Sequence, residues 1–361
     1  MANLFSIAEM NKILSIFLFF FFFLCVEGKN IKKKKLMKAS AALKRIEYRW
    51  ERVDTCGDAP IARSSHEISV INSKAYVYGG EHFARTPIDS SVYCLDKKTW
   101  TKLETKNTIT ARVAHAQAVI GSKIYVFGGR QGVAMNEQAL DDLYSFDTEL
   151  LVWEEIKPAT AVKPAARSFH KMVSWGHSLY VFGGCGKEGR MNDLHCFDTL
   201  KKEWTEMTVP TEISARGGPS VATNGKQLIV AAGFSGDEND DIHQLDFSTQ
   251  KWRKLSCGKF RARSVAATCS IGDEMFVFGG EVRPSERKHE GAGDFEGDVF
   301  CININDGSLS HCLNQAQHAP LPRGWTSMAP LDESNILMFG GLSGTDENPQ
   351  RLGDTWIITL L

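Results

Sequence analysis

The chain of 361 residues lacks an excess of either charge: 42 Lys plus Arg stand against 43 Asp plus Glu, a formal net charge of −1. Nucleic acid is held chiefly by clustered basic charge, so a nucleic-acid partner is excluded. No Asn-x-Ser/Thr acceptor occurs, and the nine cysteines (25, 56, 94, 185, 196, 257, 269, 301, 312) show no paired spacing. Both marks of an extracellular protein are therefore missing, and the body of the chain reads as a reduced protein of the cytoplasm or nucleus. There is no Gly-rich phosphate loop before a helix, no Gly-x-Ser-x-Gly elbow and no Cys-x-x-Cys pair, so the common enzyme classes find no support. What the chain has is core material: 43% hydrophobic residues and only 24% charged ones exclude disorder.

The charge that is present is unevenly placed. Six lysines (Lys12, Lys29, Lys32, Lys33, Lys34, Lys35) and two acids fall in the first 36 positions, leaving 36 basic against 41 acidic residues from Met37 onward, a net −5. Within that leader, Ile13 to Val26 is a Phe-rich stretch of 14 residues. Its length suits a signal-peptide core better than a membrane span of about 20 residues. Lys32 to Lys35 behind it favour retention on the cytoplasmic side. Three readings of residues 1–36 stay open: a signal peptide, a membrane anchor, or a dispensable extension with Met37 as the start. Only a genuine targeting segment would make the chain secreted or membrane-bound. Residues 37–45 read as a linker and 46–361 as a single domain.

Self-similarity at a period near 50 residues is the strongest signal. An apolar strand ending in two small residues recurs six times, closing at Gly79-Gly80, Gly128-Gly129, Gly183-Gly184, Ala232-Gly233, Gly279-Gly280 and Gly340-Gly341. Four copies continue into a second apolar strand with an acid and a tryptophan: Asp96 with Trp100, Asp147 with Trp153, Asp198 with Trp204, and Asp246 with Trp252. An arginine precedes the first strand of every copy: Arg63, Arg112, Arg167, Arg216, Arg263 and Arg323. The fifth copy, Val299 to Asn303, has lost the tryptophan.

With these features the chain is identified as a member of the kelch-repeat proteins from about Trp50 to its end. The resemblance implies an all-β fold, a six-bladed propeller of four-stranded antiparallel sheets around a central channel. The glycines would allow close approach where no Cβ intrudes. The tryptophans would fill the space between sheets that cannot bury their faces alone. Asp354 to Leu361 matches the third strand of a blade, and Tyr48-Arg49-Trp50-Glu51-Arg52-Val53 supplies its fourth, so the two ends of the chain should pair and close the ring.

Function on such a ring lies in polar residues converging around the axis. The recurrent arginines admit two readings: a cationic rim holding carboxylate or sulfate groups of a small anionic ligand, or six guanidiniums bonded to neighbouring loop carbonyls. His66, His115 and His170 each follow an arginine by three positions. Three histidines suggest zinc, but their repetition argues for a duty within the blade. Asp96, Asp147, Asp198 and Asp246 read as turn formers accepting backbone N–H bonds.

The non-repeating segments carry a more specific likeness. Glu281 to Phe295, inserted after the fifth small pair, the run Pro322-Arg323-Gly324-Trp325-Thr326, and Arg63-Ser64-Ser65-His66 resemble the plant specifier proteins of glucosinolate breakdown. That resemblance implies a ferrous ion held by a Glu, an Asp four residues on and a His four further. Glu281 and His289 match the outer positions, while Ser285 stands at the middle one with Glu286 beside it. A hydroxyl is a poorer ligand than a carboxylate. Arg167 and Trp325 match pocket positions of that group. Two functions follow: a module binding a protein or peptide partner on its loop face, and alternatively an Fe(II)-dependent, lyase-like activity forming nitriles or epithionitriles from glucosinolate-type aglucones.

Overall fold

The computed structural model describes residues 45–133, 136–255, 260–287 and 290–361; the leader, the stretch 37–44 and His289 lie outside them. Strands account for nearly all of the regular structure, and no α-helix occurs among the described residues. None is therefore long and apolar enough to cross a membrane.

Blade 3 shows the unit. Lys171–Trp175, Ser178–Gly186, Gly189–Asp198 and Glu203–Met207 pair antiparallel in sequence order. Blade 2 repeats it with Ala116–Ile120, Lys123–Phe127, Leu143–Asp147 and Val152–Glu155, and blade 4 with Ser220–Thr223, Gln227–Ala231, Ile242–Asp246 and Lys251–Leu255. The innermost strands of successive blades are neighbours. Where they crowd the axis they carry small side chains, including Ala116, Ala118, Ser220, Ala222, Ala267, Ser327 and Ala329, all buried. The second strands are sandwiched between adjacent blades, so Ile124 to Phe127 and Met275 to Phe278 are buried on both faces. Each burial of this kind adds about 1.5–3 kcal/mol for a full aliphatic or aromatic side chain.

The tryptophans sit opposite an apolar residue of the third strand: Leu95 with Trp100, Phe146 with Trp153, Phe197 with Trp204, Leu245 with Trp252. In blade 5 the same register places Leu309 opposite Ile302, which accounts for the missing tryptophan. Asp147, Asp198 and Asp246 each accept two main-chain N–H bonds of the following turn. Asp96 instead pairs with Lys74 at 2.9 Å.

The ring closes as the end segments require. Arg45–Arg52 pairs antiparallel with Pro349–Leu360, setting Trp50 opposite Ile358, and so completes blade 6. Its first half also runs parallel to Leu309–Asn314, the outer strand of blade 5. Blades 5 and 6 thereby form one continuous sheet of eight strands.

Candidate functional site

The six arginines are at most 1% exposed. Each donates from Nη1 to the carbonyl of the first small residue of its own blade, Gly79, Gly128, Gly183, Ala232, Gly279 or Gly340, at 2.8–3.0 Å. Five are clasped by a carboxylate at an equivalent position in or just before the third strand: Asp142, Asp193, Asp241, Asp298 and Asp354, at 2.6–2.7 Å. Blade 1 carries Ser91 at this position. Arg63 therefore keeps an unpartnered Nη2, and burial lowers its pKa. Burial alone would raise Asp193 and Asp241, yet bonds from Arg167 and His195, and from His243 and Arg216, hold both well below the ordinary range. These guanidiniums brace their own blades and are not displayed on the loop face.

His66, His115 and His170 lie deeper, each edge-on to an aromatic ring of the preceding blade, Phe339, Tyr78 and Phe127. They border an axial space of only about 40 Å³ with Lys171, which reaches across to Glu67 at 2.7 Å. Burial, helped by the neighbouring arginines, lowers His66 and His170 to about 3 and His115 well below its usual value, so all three are neutral.

Above them lies a feature that side-chain types did not announce. Ser65, Ala114, Phe169, Gly218, Val265 and Trp325, each two residues after a recurrent arginine, all have φ between 48° and 57°. Each N–H donates to the carbonyl of the preceding blade's counterpart at 2.8–2.9 Å, and the chain of bonds returns on itself through Ser65 N–H to Trp325 C=O. Six blades thus share a closed hydrogen-bonded belt. Left-handed backbone, sterically costly at five of the six positions and free of that cost at Gly218, lets these residues bond around the axis.

The residue after each small pair stands beside the belt: Glu81, Arg130, Cys185, Phe234, Glu281 and Leu342, bridged respectively to Ser64, Val113, Ser168, Gly217, Ser264 and Gly324. A cavity of about 380 Å³ opens over blades 2 to 6, with Phe169, Val265 and Trp325 as its floor and Arg130, Arg190, Phe234 and Glu281 on its walls. Arg190 lies 4.5 Å over the Phe234 ring, and Arg130 is 5.2 Å over Phe169 while donating to Ser168 Oγ at 2.7 Å. Ser264 Oγ donates to Glu238 at 3.2 Å. Burial pushes Glu281 up to about 8, with Glu238 and Asp346 adding to the effect and the Ser285 and Gly293 N–H groups opposing it. Burial likewise pushes Glu238 up to about 7, against Ser264 and Arg190.

The structure therefore brings Trp325, Glu281 and Ser285 to one cavity and leaves the six arginines beneath it. The Ser285 hydroxyl is already engaged, donating to Asp346, and Glu286 is exposed with its main-chain N–H on the same carboxylate at 3.1 Å. No group of three or more His, Cys, Asp or Glu placed to hold a metal exists among the described residues. Of the donors that the resemblance implies, Glu281 and Ser285 are described and His289 lies outside the described residues. Sequence reasoning missed the belt, Arg130, Arg190, Phe234 and Glu238. Fixed offsets from the recurrent arginine and small pair would have found the first, second and fourth of these.

A ring of six blades with a mixed aromatic and charged basin at one end is the architecture of a β-propeller interaction module. The chain belongs to the kelch-repeat family: the KLHDC2/KLHL20/DRC7 Kelch-repeats domain matches residues 65–280. It is 27% identical to an N-(sulfonatooxy)prop-2-enimidothioate sulfolyase of Thlaspi arvense over 85% of this chain and 96% of that protein. It is 29% identical to acyl-CoA-binding domain-containing protein 4 of Arabidopsis thaliana over 84% of this chain, matching 46% of that protein's length. It is 25% identical to the Caenorhabditis elegans host cell factor homolog hcf-1 over 58% of this chain. The structure described as "Structure of YjhT" shares the fold, with a TM-score of 0.65 at 17% identity, covering 82% of this chain and 95% of that one.

Proposed function

We propose that the chain binds a segment of a protein or peptide partner in the basin above the belt, with Trp325 and Phe169 as its floor. The observation that carries this reading is Trp325 itself: a large ring held on strained left-handed backbone, φ 48°, and left partly open over a cavity. Aromatic side chains in such pockets dominate binding energetics, and strain of this kind persists where surrounding structure enforces it. The recurrent arginines support the basin from below by fixing the loops. Cys56, Cys94, Cys185, Cys196, Cys269 and Cys312 are free thiols, in keeping with a cytoplasmic or nuclear setting.

Affinity capture with the full chain and with Trp325→Ala, analysed side by side, tests the proposal. Partners retained by the wild type and lost from a variant of unchanged thermal midpoint support it. An identical retained set from both proteins contradicts it.

A second reading rests on the sulfolyase likeness, which spans 96% of that protein. On it, Glu281 and His289 would hold Fe(II), a Lewis acid for an unstable sulfur-containing aglucone. Anaerobic Fe(II) titration of the wild type, Glu281→Ala and His289→Ala should then show one saturable site removed by either substitution.

A further inference from the structure

Blades 1 and 5 present the same residue types at two equivalent positions around the belt, which allows one site to be read against the other. Glu81 and Glu281 each follow the small pair, and each bridges a serine that follows the recurrent arginine, Ser64 or Ser264. Both glutamates are buried, 9% and 6% exposed. Glu81 is fully partnered: Arg351 donates to Oε1 at 3.2 Å, Ser64 Oγ lies at 3.4 Å, and the Arg85 N–H reaches Oε2 at 2.7 Å. Among the described residues no guanidinium bonds to Glu281. Its Oε1 is buried without a hydrogen-bond partner, and so is Oε2 of nearby Glu238.

A buried carboxylate with an unpartnered oxygen, Glu281, near the half-buried Glu238, with no cation bonded to either among the described residues, is a costly arrangement unless a cation arrives. Among the described residues, the other charged groups around them bond to neither carboxylate. Arg283 pairs with Asp294 at 2.8 Å, Arg287 donates to the Asp346 carbonyl, and Arg130 donates to Ser168 and Glu137. Arg190 is stacked on Phe234 and makes no hydrogen bond to Glu238 among the described residues. Cys185 is uncharged, its thiol pushed up by burial. Trp325 lines the same space and offers an aromatic ring suited to an organic cation rather than a hydrated ion.

We propose that the Glu281 wall of the cavity, with Glu238 near it, receives a guanidinium or primary ammonium group, as an arginine or lysine side chain of a bound peptide presents. The group takes the place that Arg351 occupies against Glu81. The proposal rests on the basin being the binding site and adds the chemistry of what enters it.

The test uses the full chain and two probes, N-acetyl-argininamide and its uncharged analogue N-acetyl-citrullinamide, followed by calorimetry and by tryptophan fluorescence. The charged probe should bind saturably and at least about tenfold more tightly than the uncharged one. Glu281→Gln, which keeps the shape of the side chain, should remove that preference without lowering the thermal midpoint. Glu238→Gln should weaken it as well and guards against a folding defect in the first variant. Equal affinity for the two probes, no saturable binding of the charged probe, or full retention of the preference in Glu281→Gln would each overturn the proposal. Partners lost from Trp325→Ala but kept by Glu281→Gln would leave the basin as the binding site and remove only the cation from it.

Discussion

The repeat lets a single residue be judged against five copies of its own environment. Arg63 is the exception among the arginines because Ser91 stands where every other blade has an aspartate. A buried guanidinium with an unmatched donor carries a desolvation cost that a carboxylate would offset. Ser91→Asp should therefore stabilise the protein by about 1 kcal/mol, less whatever repulsion Asp89 contributes. Chemical denaturation reads the difference, and a loss of stability would show that the Arg63 pocket cannot take the clasp. The histidines and glutamates set a pH dependence at the same scale. His66 and His170 titrate near 3 in the fold and near 6.5 unfolded, so the stability present above 6.5 is lost as pH falls toward 3. His115 acts in the same direction. Glu281 and Glu238 act oppositely: raised to about 8 and 7, they favour the fold as pH falls from 8 toward 4.5. Below 4.5 nothing from these two opposes the histidines. Stability should peak at mildly acidic pH and fall between 4.5 and 3 by up to about 4 kcal/mol per pH unit if all three histidines take up protons. A flat profile between pH 4.5 and 3 would mean the histidines are reached by solvent.

At the scale of the element, the small pair ending each second strand has a precise cause. A Cβ on Gly79, where φ is +70°, would lie 2.6 Å from the His115 ring and 2.7 Å from the Arg112 carbonyl of the next blade. On Gly279, at φ +67°, it would lie 2.3 Å from the Arg323 carbonyl. The requirement is thus a contact between blades, made at the end of the second strand rather than at the axis. Gly279→Ala should cost about 3 kcal/mol or more, from strained backbone and a clash with main chain. Gly121→Ala, at φ +61° in a turn with nothing within 4 Å, should cost only about 1 kcal/mol. Similar losses from the two variants would remove the packing explanation. The pattern was legible in the sequence because it recurs, and so were the strands, three of the four turn aspartates and the missing fourth strand. The belt was not, because its backbone demand is met by Ser, Ala, Phe, Gly, Val and Trp alike. Nor was the state of Glu281: the partner that its blade 1 twin has, Arg351, lies 270 residues away in sequence. The Glu281–Ser285–His289 spacing likewise could not show that Ser285 is drawn to Asp346 from blade 6.

For the whole molecule, the ring has one seam, and it lies in blade 6. Trp50, 3% exposed, packs its indole against Phe278 of blade 5 at 5.0 Å and Trp356 at 6.1 Å. Trp153, 2% exposed, plays the corresponding part in blade 2 among Tyr78 and Phe146, with the chain continuous on either side. Removing either ring should cost about 3–5 kcal/mol, since the burial is alike. The consequences should differ in where they appear. Each blade touches only its neighbours, so stability is close to a sum over interfaces, and opening the seam turns a closed ring into an array with two ends. Trp50→Ala should lower hydrogen-exchange protection first in Arg45–Arg52, Pro349–Leu360 and Leu309–Asn314, which share one sheet, while Ser178–Gly186 of blade 3 stays protected. Trp153→Ala should leave those seam strands at wild-type protection and loosen blades 1 and 2. If protection instead fell evenly through all six blades in both variants, the belt of main-chain bonds, and not the seam, would be what holds the ring shut.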